Sequence, residues 1–221
     1  MEFFLFIFSS CTETNGIFRK VFNDKIVVID ASGSSKQYIN GSVQLTKPEY
    51  AIYPFDKDYD WCSNCASNYD EHPYITFSLI KKRFHFNSYY LKAGCCHDEC
   101  CCEDTLYCVQ CCLFSWSLQI SEDNKTWTDV HKIERDYKMR RCNEKTYKLD
   151  KSYSAKYIRL IQNEPCPGDP PCIALNKMEI FGEVLNDDGS ELQEDFVSYH
   201  DDDDDVSIIG HISKNGKVLV N

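Results

Sequence analysis

The run Phe114-Ser-Trp-Ser-Leu-Gln-Ile120 alternates apolar and polar residues without a break. That is the period of a pleated strand, and it puts Phe114, Trp116, Leu118 and Ile120 on one face. On a helix the same four residues would be split between two sides. Ser121–Lys125 then reads as a turn, and Thr126–Val130 returns as a partner strand, with Trp116 and Trp127 facing inward from the pair. A strand pair with one apolar face must bury that face against a second layer. The rest of the chain therefore has to supply more sheet.

It contains suitable runs. Lys25–Asp30 (KIVVID) reads as a strand followed by a loop at Ala31–Ser35 (ASGSS). Tyr74–Leu79 (YITFSL) and Phe84–Leu91 (FHFNSYYL) alternate on either side of a solvated Lys81-Lys82-Arg83 turn. Thr146–Leu149 is short and β-like, and Lys156–Ile161 is strongly β-forming, with Tyr157 and Ile158 on opposite faces and Arg159 at the sandwich edge. Residues 163–172 (NEPCPGDPPC) hold four prolines and read as a loop, and Leu175–Gly182 closes as the last strand. Helical periodicity is nearly absent. Short strands separated by turn signals predict an all-β sandwich or barrel. The 221 residues, 14% of them aromatic, are enough for one domain with a real core. No window is apolar for long enough to form a membrane-spanning helix.

The net charge of −11 is unevenly placed. Residues 183–221 hold 11 of the 35 acids and 2 of the 24 Lys and Arg, so the tail carries −9 of it. A near-neutral body without clustered cations argues against nucleic acid, whose phosphates demand them. Residues 184–205, with Asp201–Asp205 consecutive, read as a disordered acidic linker. Residues 206–221 carry an Asn215-Gly216 turn between β-like arms, a hairpin signal.

Fourteen cysteines, eight of them between Cys95 and Cys112, leave two readings open. One is a set of disulfides in an oxidising compartment. The insertion at 95–112 would then be stapled to itself or to Cys62, Cys65, Cys142, Cys166 and Cys172. Cys166 and Cys172 bracket the proline loop and form the best local pair. The weaker alternative is a zinc site in which Cys108 and Cys111 join Cys96, His97 and Cys100. Residues 1–11 are apolar and resemble a short secretory signal, although Glu2 replaces the usual cation; a buried first strand or an anchor is the alternative. Secretion would make the acceptor triplets Asn40-Gly41-Ser42 and Asn124-Lys125-Thr126 relevant.

The order WSLQISEDNKTWTDV (116–130), KYIRLIQ (156–162) and LNKMEIFG (175–182) resembles the second half of an F5/8 type C, or discoidin, domain. AIYPFDKDYDWCSNC (51–65) and PYITFSLIKKRFHFNSYYLKAG (73–94) are similar to its first half. The resemblance covers residues 17–183. It implies a galactose-binding-like jelly-roll β-sandwich that binds carbohydrate, phospholipid or protein through loops at one end. The chain departs from the family in its Cys-rich insertion and in lacking a terminal cysteine after Gly182.

On that resemblance the loop Tyr53–Trp61 corresponds to a binding loop. Tyr53, Phe55 and Tyr59 would stack on a sugar or enter an interface, and Asp56 and Asp58 would bond hydroxyls or help hold Ca2+. The acidity of the loop favours a sugar or protein partner over anionic lipid. There is no Gly-rich phosphate loop, nucleophile elbow or His-Glu-x-x-His, so a non-enzymatic binding or adhesion module, secreted or at the cell surface, is expected. The alternatives are a disulfide-rich structural surface protein, an intracellular (cytoplasmic) discoidin-containing scaffold, and a thiol redox protein using Cys62-Ser-Asn-Cys65. That last motif lacks the βαβ context redox pairs need.

Overall fold

The structure, a computed structural model, describes residues 16–95 and 113–190, with the backbone of 211–212 and 218–219. The apolar run 1–11, the cluster Cys96, His97, Cys100, Cys108 and Cys111, the Asp201–Asp205 run and the dipeptide Asn215-Gly216 lie outside the described residues.

The strands are β1 (Val27–Ala31), β2 (Lys36–Ile39), β3 (Ser42–Leu45), β4 (Trp61–Cys62), β5 (Tyr74–Leu79), β6 (Lys82–Ala93) and β7 (Ser115–Ser121). They continue as β8 (Thr128–Ile133), β9 (Glu144–Ala155), β10 (Tyr157–Glu164), β11 (Ala174–Asn186), β12 (His211–Ile212) and β13 (Val218–Leu219). One layer runs in the order β13-β12-β1-β5-β10-β7-β8, and the other in the order β4-β11-β6-β9. Among the described residues the layers join at the tight β5–β6 turn, where Leu79 pairs Lys82 and Lys81 adopts a positive φ of 55°. The strands β2 and β3 form a separate hairpin.

Alternation makes the core. On β10, Ile158, Leu160 and Gln162 are buried while Tyr157, Arg159 and Ile161 are not. Ile158 and Leu160 share one core with Ile29, Ile75, Phe77, Trp116 and Leu118 of the same layer and Tyr89, Leu91, Met178 and Ile180 of the other. Gln162 is polar but satisfied: its side chain donates to Cys172 O at 2.7 Å and accepts from Cys172 N at 3.1 Å. The proline loop is thereby tied to the core, as a buried amide requires.

A short helix, α1 (Ile17–Val21), packs Ile17, Phe18 and Val21 into this core, with the Phe18 ring 4.7 Å from that of Phe77. Its first amides are satisfied by the Glu179 carboxylate, which accepts from Phe18 N at 2.8 Å and Arg19 N at 3.1 Å. Burial raises the Glu179 pKa, and these bonds oppose the rise.

Two placements differ from expectation. Trp127 does not face inward from a strand: it precedes β8, is half-buried, and lies 3.9 Å beneath the Arg159 guanidinium. Arg159 is at no edge, because β10 sits between β5 and β7. It lies on the outer face of that central strand, donating to Gln119 at 2.8 Å and also covering Tyr74. The indole follows the large planar cation rather than the core.

Strand directions bring several loops to one end of the sandwich. Ser32 N bonds Tyr74 O, Ser63 N bonds Ile173 O, Ala66 N bonds Pro171 O, Cys142 N bonds Gly94 O and Leu113 N bonds Met139 O. Cys95 and Cys142 form a disulfide there, with Cα atoms 4.4 Å apart. Cys62, Cys65, Cys166 and Cys172 are also disulfide-bonded. The opposite end carries the short turns at residues 80–81 and 122–127.

Candidate functional site

The candidate binding loop is built on a 3-10 helix, Pro48–Ile52, that Pro48 opens and whose Tyr50, Ala51 and Ile52 are buried. The chain leaves it into a cluster of rings. Tyr50 lies 5.5 Å from Tyr53 and 4.6 Å from Tyr59, and Tyr53 lies 5.7 Å from Phe22 and 5.0 Å from Phe55. Burial pushes the Tyr53 phenol up to about 12 and raises those of Tyr50 and Tyr59. Tyr53 and Tyr59 are thus half-buried supports, whereas Phe55 is the outermost ring, 51% exposed.

Beyond Phe55 the loop alternates. Asp56 and Asp58 are exposed, while Lys57 turns inward. Its ammonium donates to Asn176 O and sits 5.4 Å over the Tyr59 ring. Burial holds its pKa down to about 8, against the nearby charge of Asp60. Asn176 donates back to Lys57 O at 3.2 Å, Tyr59 O at 3.3 Å and the Asp60 carboxylate at 2.9 Å. Asp60 is fully buried and also accepts from Cys95 N at 2.8 Å and Gln37 Nε2 at 3.4 Å. Desolvation raises the Asp60 pKa, opposed by these donors and by Lys57. The loop, β11 and the residue opening the Cys-rich segment therefore meet at one buried carboxylate.

Pro54 and Asp56 form part of the wall of a cavity of about 410 Å³, shared with Arg19, Tyr90, Lys92 and Lys177. Lys177 donates to Pro54 O at 3.4 Å, and Glu144, also in the wall, accepts from Tyr90 Oη at 2.7 Å. Charges of both signs and an aromatic ring suit a neutral polyhydroxyl ligand better than a strongly anionic one.

Of the five ligand residues expected from sequence, Asp56 lies in this wall, Phe55 is exposed next to it in the chain, Asp58 is exposed, and Tyr53 and Tyr59 are half-buried. Among the described residues no group of three or more His, Cys, Asp or Glu side chains is placed to hold a metal ion. A second cavity, about 530 Å³, opens among the end loops between Ser32, Asn64, Glu71, His72 and Tyr74. His72 Nδ1 lies 3.0 Å from Gln162 O. Sequence did not single these residues out, because 63–72 is polar and without period. Among the described residues no helix is long and apolar enough to cross a membrane.

No protein-family model matches the sequence, and no curated protein matches it. Solved structures do match in fold. A carbohydrate-binding module, CBM32-5 from Clostridium perfringens, solved with GalNAc-β-1,3-galactose, superposes with a TM-score of 0.50 at 14% identity, covering 73% of this chain and 99% of that one. A fragment assigned as a chitobiase from Bacteroides thetaiotaomicron gives 0.50 at 12% identity, covering 81% and 98%. The fold is the galactose-binding-like, discoidin-type β-sandwich.

Proposed function

We propose that this chain is a non-catalytic carbohydrate-binding module, working outside the cell or at its surface, whose sugar contacts the 53–59 loop. The observation that carries the reading is Phe55: an exposed aromatic ring held by a packed platform of tyrosines, beside a polar cavity that Asp56 helps to line. Pyranose rings present an apolar C–H face for stacking and a rim of hydroxyls for hydrogen bonds. Phe55 would take the face, and Asp56, Lys92 and Lys177 the hydroxyls, with Tyr53 and Tyr59 as supports. Binding of GalNAc-β-1,3-galactose by the similar Clostridium module supports starting with galactose-containing glycans.

The test is a glycan array, followed by calorimetry on any hit. Phe55→Ala and Asp56→Ala should each weaken binding about tenfold or more, a loss of about 1.4 kcal/mol. As exposed substitutions they should leave stability within about 0.5 kcal/mol. Absence of any sugar binding, or binding indifferent to both variants, would overturn the proposal. If only His72→Ala weakens it, the sugar sits in the 530 Å³ cavity instead.

A further inference from the structure

The β2–β3 hairpin closes through Asn40 and Gly41, both at positive φ (50° and 83°), between the paired residues Ile39 and Ser42. That is the two-residue turn in which Asn-Gly is favoured. Asn40 and Gly41 are exposed, and the space around Gly41 is open. Along β2 the side chains alternate: Gln37 and Ile39 are buried, while Tyr38 points outward opposite Val43. Tyr38 is 71% exposed and Val43 66%. An isolated two-stranded hairpin is marginal in stability, and leaving its large side chains uncovered adds nothing to it.

We propose that Asn40, in the triplet Asn40-Gly41-Ser42, carries an N-linked glycan whose first ring packs on Tyr38. Three observations point the same way. The acceptor amide lies at an exposed turn tip that an enzyme can reach. Tyr38 is two residues earlier, exposed on the strand that leads into this turn, so the attached sugar is held next to an uncovered ring. All six cysteines among the described residues are disulfide-bonded, which fits the oxidising compartment in which such transfer occurs. The donor is a lipid-linked oligosaccharyl diphosphate. The Asn40 amide nitrogen forms a bond to C1 of the terminal N-acetylglucosamine, the C1–O bond to the diphosphate breaks, and the lipid diphosphate leaves with the electron pair. The amide proton passes to a base of the transferring enzyme.

The other triplet provides an internal comparison. Asn124 is also exposed at a turn with positive φ, but two residues before it stands Glu122, paired with Arg83 at 2.5 Å. Its Thr126 hydroxyl donates to the Asp123 carboxylate at 3.2 Å. The ring nearby, Trp127, is half-buried and already stacked under Arg159.

The experiment expresses the full chain with its own N terminus in eukaryotic secretory cells. Peptide N-glycanase treatment in 18O water, read by mass spectrometry, then marks occupied sites. Asn40 should appear as 18O-labelled Asp. The glycosylated protein should melt about 2–4 °C above the enzymatically stripped one, the size of a 1 kcal/mol effect in a domain of this length. Tyr38→Ala should leave Asn40 occupied and abolish the melting difference, while Asn124→Gln should preserve it. An unmodified Asn40 overturns the proposal, and a melting difference that survives Tyr38→Ala overturns the packing.

Discussion

Lys57 shows how one residue holds the exposed part of the loop in place. By turning in toward Asn176 and Asp60 it leaves its neighbours Asp56 and Asp58 facing out. The cost is a desolvated ammonium whose pKa falls from 10.5 to about 8. Below pH 8 both folded and unfolded chains carry this proton, and the folded state bears the full penalty. Between pH 8 and 10.5 the folded chain releases the proton while the unfolded chain keeps it, so stability rises with pH across that window. The whole shift corresponds to about 3 kcal/mol. Urea titrations from pH 7.5 to 9.5 should therefore show increasing stability, and Lys57→Met should flatten the rise. A wild-type curve that is level or falling would disprove the role assigned to this ammonium. The titrated range ends below pH 10, the midpoint at which tyrosines, raised here by burial, ionise in the unfolded chain and pull stability down again.

Among the elements, β11 is the most constrained because it pairs β4 and β6 and also anchors α1 through Glu179. Its register with β6 shifts between Phe181 and Gly182. A Cβ on Gly182 would lie 2.1 Å from His85 O and 2.7 Å from the Phe86 Cα, both backbone atoms that cannot swing aside. Gly182→Ala should cost about 1–3 kcal/mol by overpacking. That would lower the melting temperature by roughly 2–12 °C, readable by circular dichroism. The same strands show what sequence can and cannot say. β5, β7 and β10 are legible because their apolar residues recur at every second position. β9 extends to twelve residues where only Thr146–Leu149 looks β-like, since most of its residues are exposed and any polar residue suits them. α1 has five residues, too few to display a helical period. The β2–β3 hairpin was legible but concealed: Asn40-Gly41 reads both as a glycan acceptor and as a hairpin turn, and its flanking strands are short. At the site, the aromatic loop stood out by composition. The inward turn of Lys57 and the burial of Asp60 did not, because they depend on Asn176, 116 residues after Asp60.

At the scale of the whole molecule the two ends of the sandwich are held differently. One end is closed by short turns whose geometry is local, at residues 80–81 and 122–127. The loops at the other end span 32–35, 63–73, 134–143 and 165–173, and few of their residues enter the core. Disulfides at Cys62, Cys65, Cys95, Cys142, Cys166 and Cys172 are all found at this end. Cys95–Cys142 alone closes a loop with a sequence separation of 47 and ties the end of β6 to the loop that leads into β9. Reduction should therefore act unevenly. Amides that bridge the end loops, Ser63 to Ile173, Ala66 to Pro171 and Cys142 to Gly94, should exchange with deuterium faster after mild reduction. Those of β5 and β10, in the middle of their layer, and of the 122–127 turn should change little. Uniform acceleration across both ends would mean instead that the disulfides stabilise the domain as one cooperative unit. The 53–59 loop makes a sensitive reporter, because Asp60 bonds Cys95 N directly and the loop's exposed face depends on that carboxylate. Reduction should loosen Phe55 with it, so the sugar binding proposed for this loop should weaken before the sandwich itself unfolds.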